Sequence, residues 1–142
     1  MQTAKDILGY KGSKVWAVGP DDTVLHALEV MAKQEIGAVV VLEGDKLIGI
    51  LTERDYARKV VLLGRSSRGL PIRDVMTPVV ISVPPERTIN DCLALMTEKR
   101  VRHLPVVERD QVVGLVSIGD LVRATIAEQE QVIEHLQQYI AG

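Results

Sequence analysis

Phenylalanine is missing from this chain altogether, and aromatic residues of every kind make up only 3% of it. A core must therefore be built from Val, Ile, Leu, Ala and Met, which suits strands buried on both faces better than an aromatic-rich barrel. Cysteine is nearly missing too. Cys92 stands alone, which excludes an intramolecular disulfide and a thiolate zinc cluster and fits a reducing compartment. No apolar run approaches the roughly 20 residues that a membrane helix needs. The opening residues lack the charged-then-apolar pattern of a signal peptide. The expectation is a soluble, cytoplasmic protein without membrane contact. Charge of one sign is also lacking: a formal net charge of −2 over 142 residues leaves no electrostatic footprint for nucleic acid. A local basic cluster would still hold a small anion.

The signatures of common catalysts are absent as well. Gly114 lies three residues before Ser117 rather than two, so the segment is not a nucleophile elbow. Gly9 to Lys14 has the wrong glycine spacing for a P-loop, and no Gly-x-Gly-x-x-Gly fingerprint occurs. His26, His103 and His135 are far apart in sequence, and Cys92 sits beside Leu93 on a helix, where the related segment has Ala27. The residues assemble no active site, so the expectation is a protein that is not an enzyme and needs no metal or catalytic cofactor.

What the chain does have is an internal duplication. Residues 15–61 align with 80–126 without a gap, with identities that include Pro20/Pro85, Thr23/Thr88, Met31/Met96, Gly49/Gly114 and Asp55/Asp120. Chance does not hold register over that length. Each copy reads the same way. A short apolar strand (15–18, 80–83) is closed by a proline that cannot continue a ladder. Thr23 and Thr88 stand at helix N-caps, with Asp91 placed for a capping box. The helix carries Val24, Leu28 and Met31, repeated as Ile89, Leu93 and Met96, on one buried face. Two more strands follow (38–42 and 47–51; 104–107 and 112–116), and a second helix starts near Glu53 and near Gly119.

The unit is β-α-β-β-α, and about 50 residues are too few to bury its sheet alone. The expected fold class is α+β (α/β), with two tandem units packed about a pseudo-two-fold axis. The first repeat with its linker is placed at 11–70, the second at 76–132, and a C-terminal helix extension at 128–142. That last helix carries a heptad-like stripe, Val122, Ile126, Gln129, Ile133, Leu136 and Ile140. Its tail exceeds what a small module can cover, so it either meets a partner helix or lies back on its own module.

Two corners stand out, Gly49 to Asp55 and Gly114 to Asp120. Each ends a strand with a hydroxyl, Thr52 or Ser117, and places a carboxylate three residues later. One reading is plain capping of the second helix. The other is a nucleotide site: free N–H groups at a helix start favour phosphate, and an Asp accepts from ribose hydroxyls. The two readings are compatible.

The repeated unit, the lead-in Asp74-Val75-Met76-Thr77-Pro78, the strand Arg102-His103-Leu104-Pro105-Val106-Val107 and the two corners together resemble the cystathionine-β-synthase (CBS) domain family. Specifically, the chain resembles a stand-alone pair of such domains, or Bateman module, from about Asp6 to Glu128. The resemblance implies that adenosine-bearing ligands (AMP, ADP, ATP, NAD(H) or S-adenosylmethionine) bind in clefts between the repeats, and that two modules associate as a disc, so a homodimer is expected. By that resemblance Ser117 and Asp120 hold ribose and phosphate, and adenine lies against Ile36, Gly37 and Ala38. Arg102 and His103 reach the phosphates, and Arg54, which aligns with Gly119, adds a second cation. A pseudo-symmetric site around Thr52 and Asp55 faces the bulkier Val101, Arg102 and His103. The two sites are therefore expected to be unequal, with the Asp120 site first. The implied function is a regulatory sensor that binds an adenine nucleotide, does no chemistry on it and acts in trans on a partner protein. The competing readings are an enzyme acting on nucleotides and a scaffold with a vestigial site.

Overall fold

A computed structural model describes residues 1–141 of the chain. In order, the elements are α1 (Ala4–Lys11), β1 (Ala17–Val18), α2 (Val24–Gln34), β2 (Ala38–Glu43), β3 (Lys46–Thr52), α3 (Glu53–Tyr56), α4 (Ile89–Lys99), β4 (His103–Glu108), β5 (Gln111–Ser117) and α5 (Ile118–Ala141). The fold is α+β. Thr23 caps α2 by accepting from the His26 N–H at 3.1 Å, and Thr88 caps α4 by accepting from the Asp91 N–H at 3.2 Å. The Asp91 side chain does not return the bond, so only half of a capping box forms there. Among the described residues, no helix is long and apolar enough to cross a membrane.

The hairpins β2–β3 and β4–β5 are antiparallel and carry the same irregularity. Val41 faces Gly49 and Leu42 faces Leu47, just as Val106 faces Gly114 and Val107 faces Val112. One residue, Ile48 or Val113, bulges out of each ladder. The copies differ at the outer edge. In the first, β1 pairs parallel with β2, and the Val40 N–H donates to the Trp16 carbonyl at 3.3 Å. In the second, the matching pairing shrinks to a single bridge, Val83 to Val106. Pro105 stands where Val40 does and has no N–H to donate. The expected strand at 80–83 therefore survives only at Val83.

The second helix of the first repeat is α3 continued by one wide π-type turn, Ala57–Val61. In the second repeat the same position begins the 24-residue α5.

The two hydrophobic cores are interleaved along the chain. The first gathers Val18, Val24, Met31, Leu51 and Val60 together with Ile72 and Val75, which come from beyond the linker. The second gathers Val83, Ile89, Leu104 and Leu121 together with Ala4, Ile7 and Leu8 from the N-terminus. Backbone bonds fix both crossovers. The Ala4 N–H donates to the Arg87 carbonyl at 2.8 Å and the Ile89 N–H to the Gln2 carbonyl at 3.0 Å. Correspondingly, the Val24 N–H donates to the Leu70 carbonyl and the Ile72 N–H to the Asp22 carbonyl. Each lead-in segment thus docks on the repeat it does not begin. Helix α1 goes beyond the elements expected from the sequence: Thr3 and Asp6 form a full capping box there, with Ile7 and Leu8 on its buried face.

Candidate functional site

The two strand-to-helix corners are built alike. At the first, the Thr52 N–H and hydroxyl donate to Asp55 Oδ2 at 3.0 and 3.1 Å, and the Asp55 N–H donates back to Thr52 Oγ1 at 3.1 Å. At the second, the Ser117 N–H donates to Asp120 Oδ2 at 2.8 Å, and the Asp120 N–H donates to Ser117 Oγ at 3.2 Å. The capping role is therefore real at both corners. Asp55 and Asp120, at 8% and 7% exposure, are the only buried charged residues among those described. Burying a carboxylate is costly without partners, and the partners are where the copies part.

Asp55 accepts from the Thr77 hydroxyl at 3.0 Å and pairs with Lys59, one turn further on, at 3.1 Å. Asp120 pairs instead with Lys11 from α1 at 2.5 Å and with Arg123 at 2.7 Å. The Lys11 ammonium also donates to the Leu115 carbonyl at 2.7 Å. Burial alone would raise the Asp120 pKa, but hydrogen bonds from Lys11 and Ser117 outweigh it and hold the carboxyl below its ordinary value. Behind Lys11, Leu8 presses so closely on Gly114 that a Cβ there would lie 2.5 Å from its methyl carbons. The Asp120 corner is covered by α1.

One aligned pair explains a further difference. Gly119 leaves room for Arg123 to fold over the helix start, where a Cβ would sit 3.3 Å from the Arg123 guanidinium. The first repeat has Arg54 at that position, and Arg58, the counterpart of Arg123, pairs with no carboxylate among the described residues. It lines an open cleft instead.

That cleft, of about 420 Å³, lies between the Thr52–Asp55 corner and the entry to β4. It brings together Gly37, Thr52, Arg54, Asp55, Arg102 and His103 from the residues expected by sequence, and its size suits a small-molecule site. Ser117 and Asp120 are not in its lining, Ala38 is fully buried, and Ile36 packs against the first core. The sequence reading ranks the Asp120 corner first, whereas the open cleft forms over the other one. The physical reason is α1, which supplies Lys11 and Leu8 to the Asp120 corner. The structure adds Thr77, Val79, Val80, Ile81, Arg58 and Arg100 to the lining. Thr77 was signalled by the Asp74–Pro78 segment and Arg58 by its identity with Arg123; Arg100 carried no such signal.

His103 stands against Gly37, where a Cβ would lie 3.4 Å from its Nε2. Burial lowers its pKa, the Lys11 and Arg102 charges lower it further, and Asp120 opposes them. The imidazole is therefore neutral near pH 7 and offers one donor and one acceptor. Arg54 spans the repeats, its guanidinium donating to the Arg100 carbonyl at 3.2 Å. The arrangement provides an apolar wall, a buried carboxylate and a cationic rim.

Comparison with known proteins places this architecture. A sequence profile of the CBS domain matches residues 4–62 and 72–127. The chain is 40% identical, over 99% of its length and 72% of the relative's, to the CBS domain-containing protein CBSX3, mitochondrial, of Arabidopsis thaliana. It is 33% identical to the CBS domain-containing protein YhcV of Bacillus subtilis, covering 85% of this chain and 84% of that one. A solved structure of a protein with CBS domains from Burkholderia ambifaria superposes with a TM-score of 0.86 at 46% identity, over 90% of this chain and 96% of that one. The CBS domain pair of protein MJ0100, solved with 5′-methylthioadenosine and S-adenosyl-L-methionine, shares the fold at 24% identity and a TM-score of 0.78, over 87% and 99% of the two chains. With two profile matches that span both repeats and relatives matched over most of their length, the chain belongs to the CBS-domain family, as a pair of CBS domains.

Proposed function

We propose that this CBS pair is a regulatory module that binds an adenine nucleotide (AMP, ADP, ATP or NAD(H)) in the Thr52–Asp55 cleft, leaves it chemically unchanged and acts in trans on a partner protein. The observation that carries the reading is the cleft itself, where a buried capped carboxylate and two facing cationic side chains, Arg54 and Arg102, close on one cavity. A carboxylate has about four acceptor positions, and those of Asp55 are taken by Thr52, Thr77 and Lys59. A ribose exchanges its hydroxyls for the Lys59 ammonium, which is half-exposed and free to swing out. Adenine slides along the backbone at Gly37, positioned by Ile36 and Ala38, and against the apolar Val80 and Ile81. Arg102 and the neutral His103 meet the phosphate. Ser117 and Asp120 form the second, lesser site, available once Lys11 leaves. The complex of protein MJ0100 with two adenosine-bearing molecules supports this ligand class for the fold. A second copy of the chain covers the exposed apolar residues of α5, so the working unit is a homodimer.

Calorimetric titration of the full chain with AMP, ATP and NADH tests the reading. Binding is expected with at least one of them, weakened tenfold or more in Asp55→Ala and less in Asp120→Ala, with the ligand recovered intact after long incubation. Absence of heat with every adenine nucleotide rejects the reading, and turnover of the ligand replaces it with an enzyme.

A further inference from the structure

The cleft is not neutral, although the protein is acidic overall with a formal net charge of −2. Four guanidiniums, Arg54, Arg58, Arg100 and Arg102, line its mouth. All four residues are exposed, and among the described residues none has a carboxylate within 4.0 Å. They come from both repeats: Arg54 and Arg58 from one side, Arg100 and Arg102 from the other, linked by the Arg54 bond to the Arg100 carbonyl. Against them stands one uncompensated carboxylate in the lining, Glu53, since Asp55 is already neutralised by Lys59. Glu53 stands beside Gly37, its Oε1 3.1 Å from the position of a Cβ there. The lining therefore holds a surplus of positive charge that no carboxylate among the described residues answers. Like charges gathered this closely repel one another, and an anion with several charged oxygens relieves that repulsion through bidentate guanidinium contacts.

We infer that the cleft selects an adenosine 5′-di- or triphosphate over AMP and over adenosine ligands without phosphate, its polyphosphate tail gripped by Arg54, Arg58, Arg100 and Arg102. This rests on the adenine-nucleotide reading of the cleft and narrows it to one charge class. A lone phosphate offers fewer charged oxygens than four guanidiniums can bind, whereas a tail of two or three phosphates offers enough to engage residues from both repeats. A neutral 5′ substituent gains nothing from the rim, and a sulfonium cation is repelled by it. Hydrogen bonds between charged partners contribute about 1.5–3 kcal/mol each, and 1.4 kcal/mol is tenfold in affinity. The step from AMP to ADP is thus expected to be at least about tenfold.

The test is calorimetry on the full chain with adenosine, AMP, ADP, ATP, S-adenosylmethionine and inorganic triphosphate. Affinity is expected to rise from adenosine to AMP to ADP and ATP, and the gap between AMP and ATP to shrink as salt is raised through the range where screening becomes strong. In Arg58→Ala/Arg100→Ala, checked for an unchanged unfolding midpoint, ATP is expected to lose about tenfold more affinity than AMP. Equal affinity for AMP and ATP, or tighter binding of S-adenosylmethionine, overturns the charge selection while leaving an adenosine site standing. Inorganic triphosphate binding as tightly as ATP also overturns it, since the rim would then hold an anion without reading adenosine. No heat with any adenosine compound rejects the underlying nucleotide reading instead.

Discussion

Asp55 and Asp120 occupy the same place in two copies of one fold, yet a different cation answers each. Asp55 takes Lys59 from its own helix, while Asp120 takes Lys11 from the far end of the chain. The consequence is a pH dependence with a defined sign. The folded-state pKa of Asp120 lies below its ordinary value, because the Lys11 and Ser117 bonds overcome burial. The stability this supplies is therefore fully present above the ordinary carboxylate range and is lost as pH falls through the lower, folded value. Asp120→Asn removes that share. At neutral pH the variant is expected to be less stable by roughly 1–2 kcal/mol, a figure kept small because water reaches the lysine side of the pair. Urea unfolding at descending pH checks it: the gap between wild type and variant should narrow below about pH 4. A gap that stays constant to pH 3 would show that the ion pair contributes nothing.

At the scale of elements, the duplication made most of the fold legible, because every strand and helix of one copy could be checked against the other. The caps at Thr23 and Thr88 and the hairpins were plain in the residues. The losses have particular causes. Pro105 removes one donor and shortens an edge strand, an effect visible only once its partner across the sheet is known. Helix α1 lies outside the aligned segments and packs on the distant repeat, so no local pattern connects it to Asp120. That one element decides which corner stays open, so the matched residues at the two corners were legible in the sequence while the position of the open cleft was not. The role of α1 as a cover has its own test. Leu8 is buried against Gly114 in the second core. Leu8→Ala should cost about 2–4 kcal/mol, and amides of α1 should exchange with solvent faster than those of α2. If exchange in α1 matches wild type, Leu8 does not hold the cover down, and Lys11 alone must do so.

At the scale of the whole molecule, the apolar stripe of α5 is left unanswered. The last buried residue of α5 is Ala124. From Gln129 to Ala141 every residue of the helix is exposed, including Ile133 at 55%, Leu136 at 56% and Ile140 at 82%. A helical tail of this length without tertiary contacts is marginal in water, and its apolar residues recur at the three- and four-residue steps that a second helix fits. Val122 and Ile126 continue the stripe down onto the module, so a partner seated there gains contacts on the body as well as along the tail. A second copy presents the same stripe and completes a symmetric, closed pair, whereas an unrelated surface would need matching by chance. The expected outcome is a dimer at micromolar concentration by light scattering. In Ile133→Glu/Leu136→Glu like charges face each other across the seam, so the mass should fall to that of a monomer and the tail amides should lose protection. The body of the module should keep its unfolding midpoint, because neither substitution touches a core residue. A wild-type chain that is monomeric with a well-protected tail would mean that α5 folds back on its own module, and the homodimer would have to be abandoned.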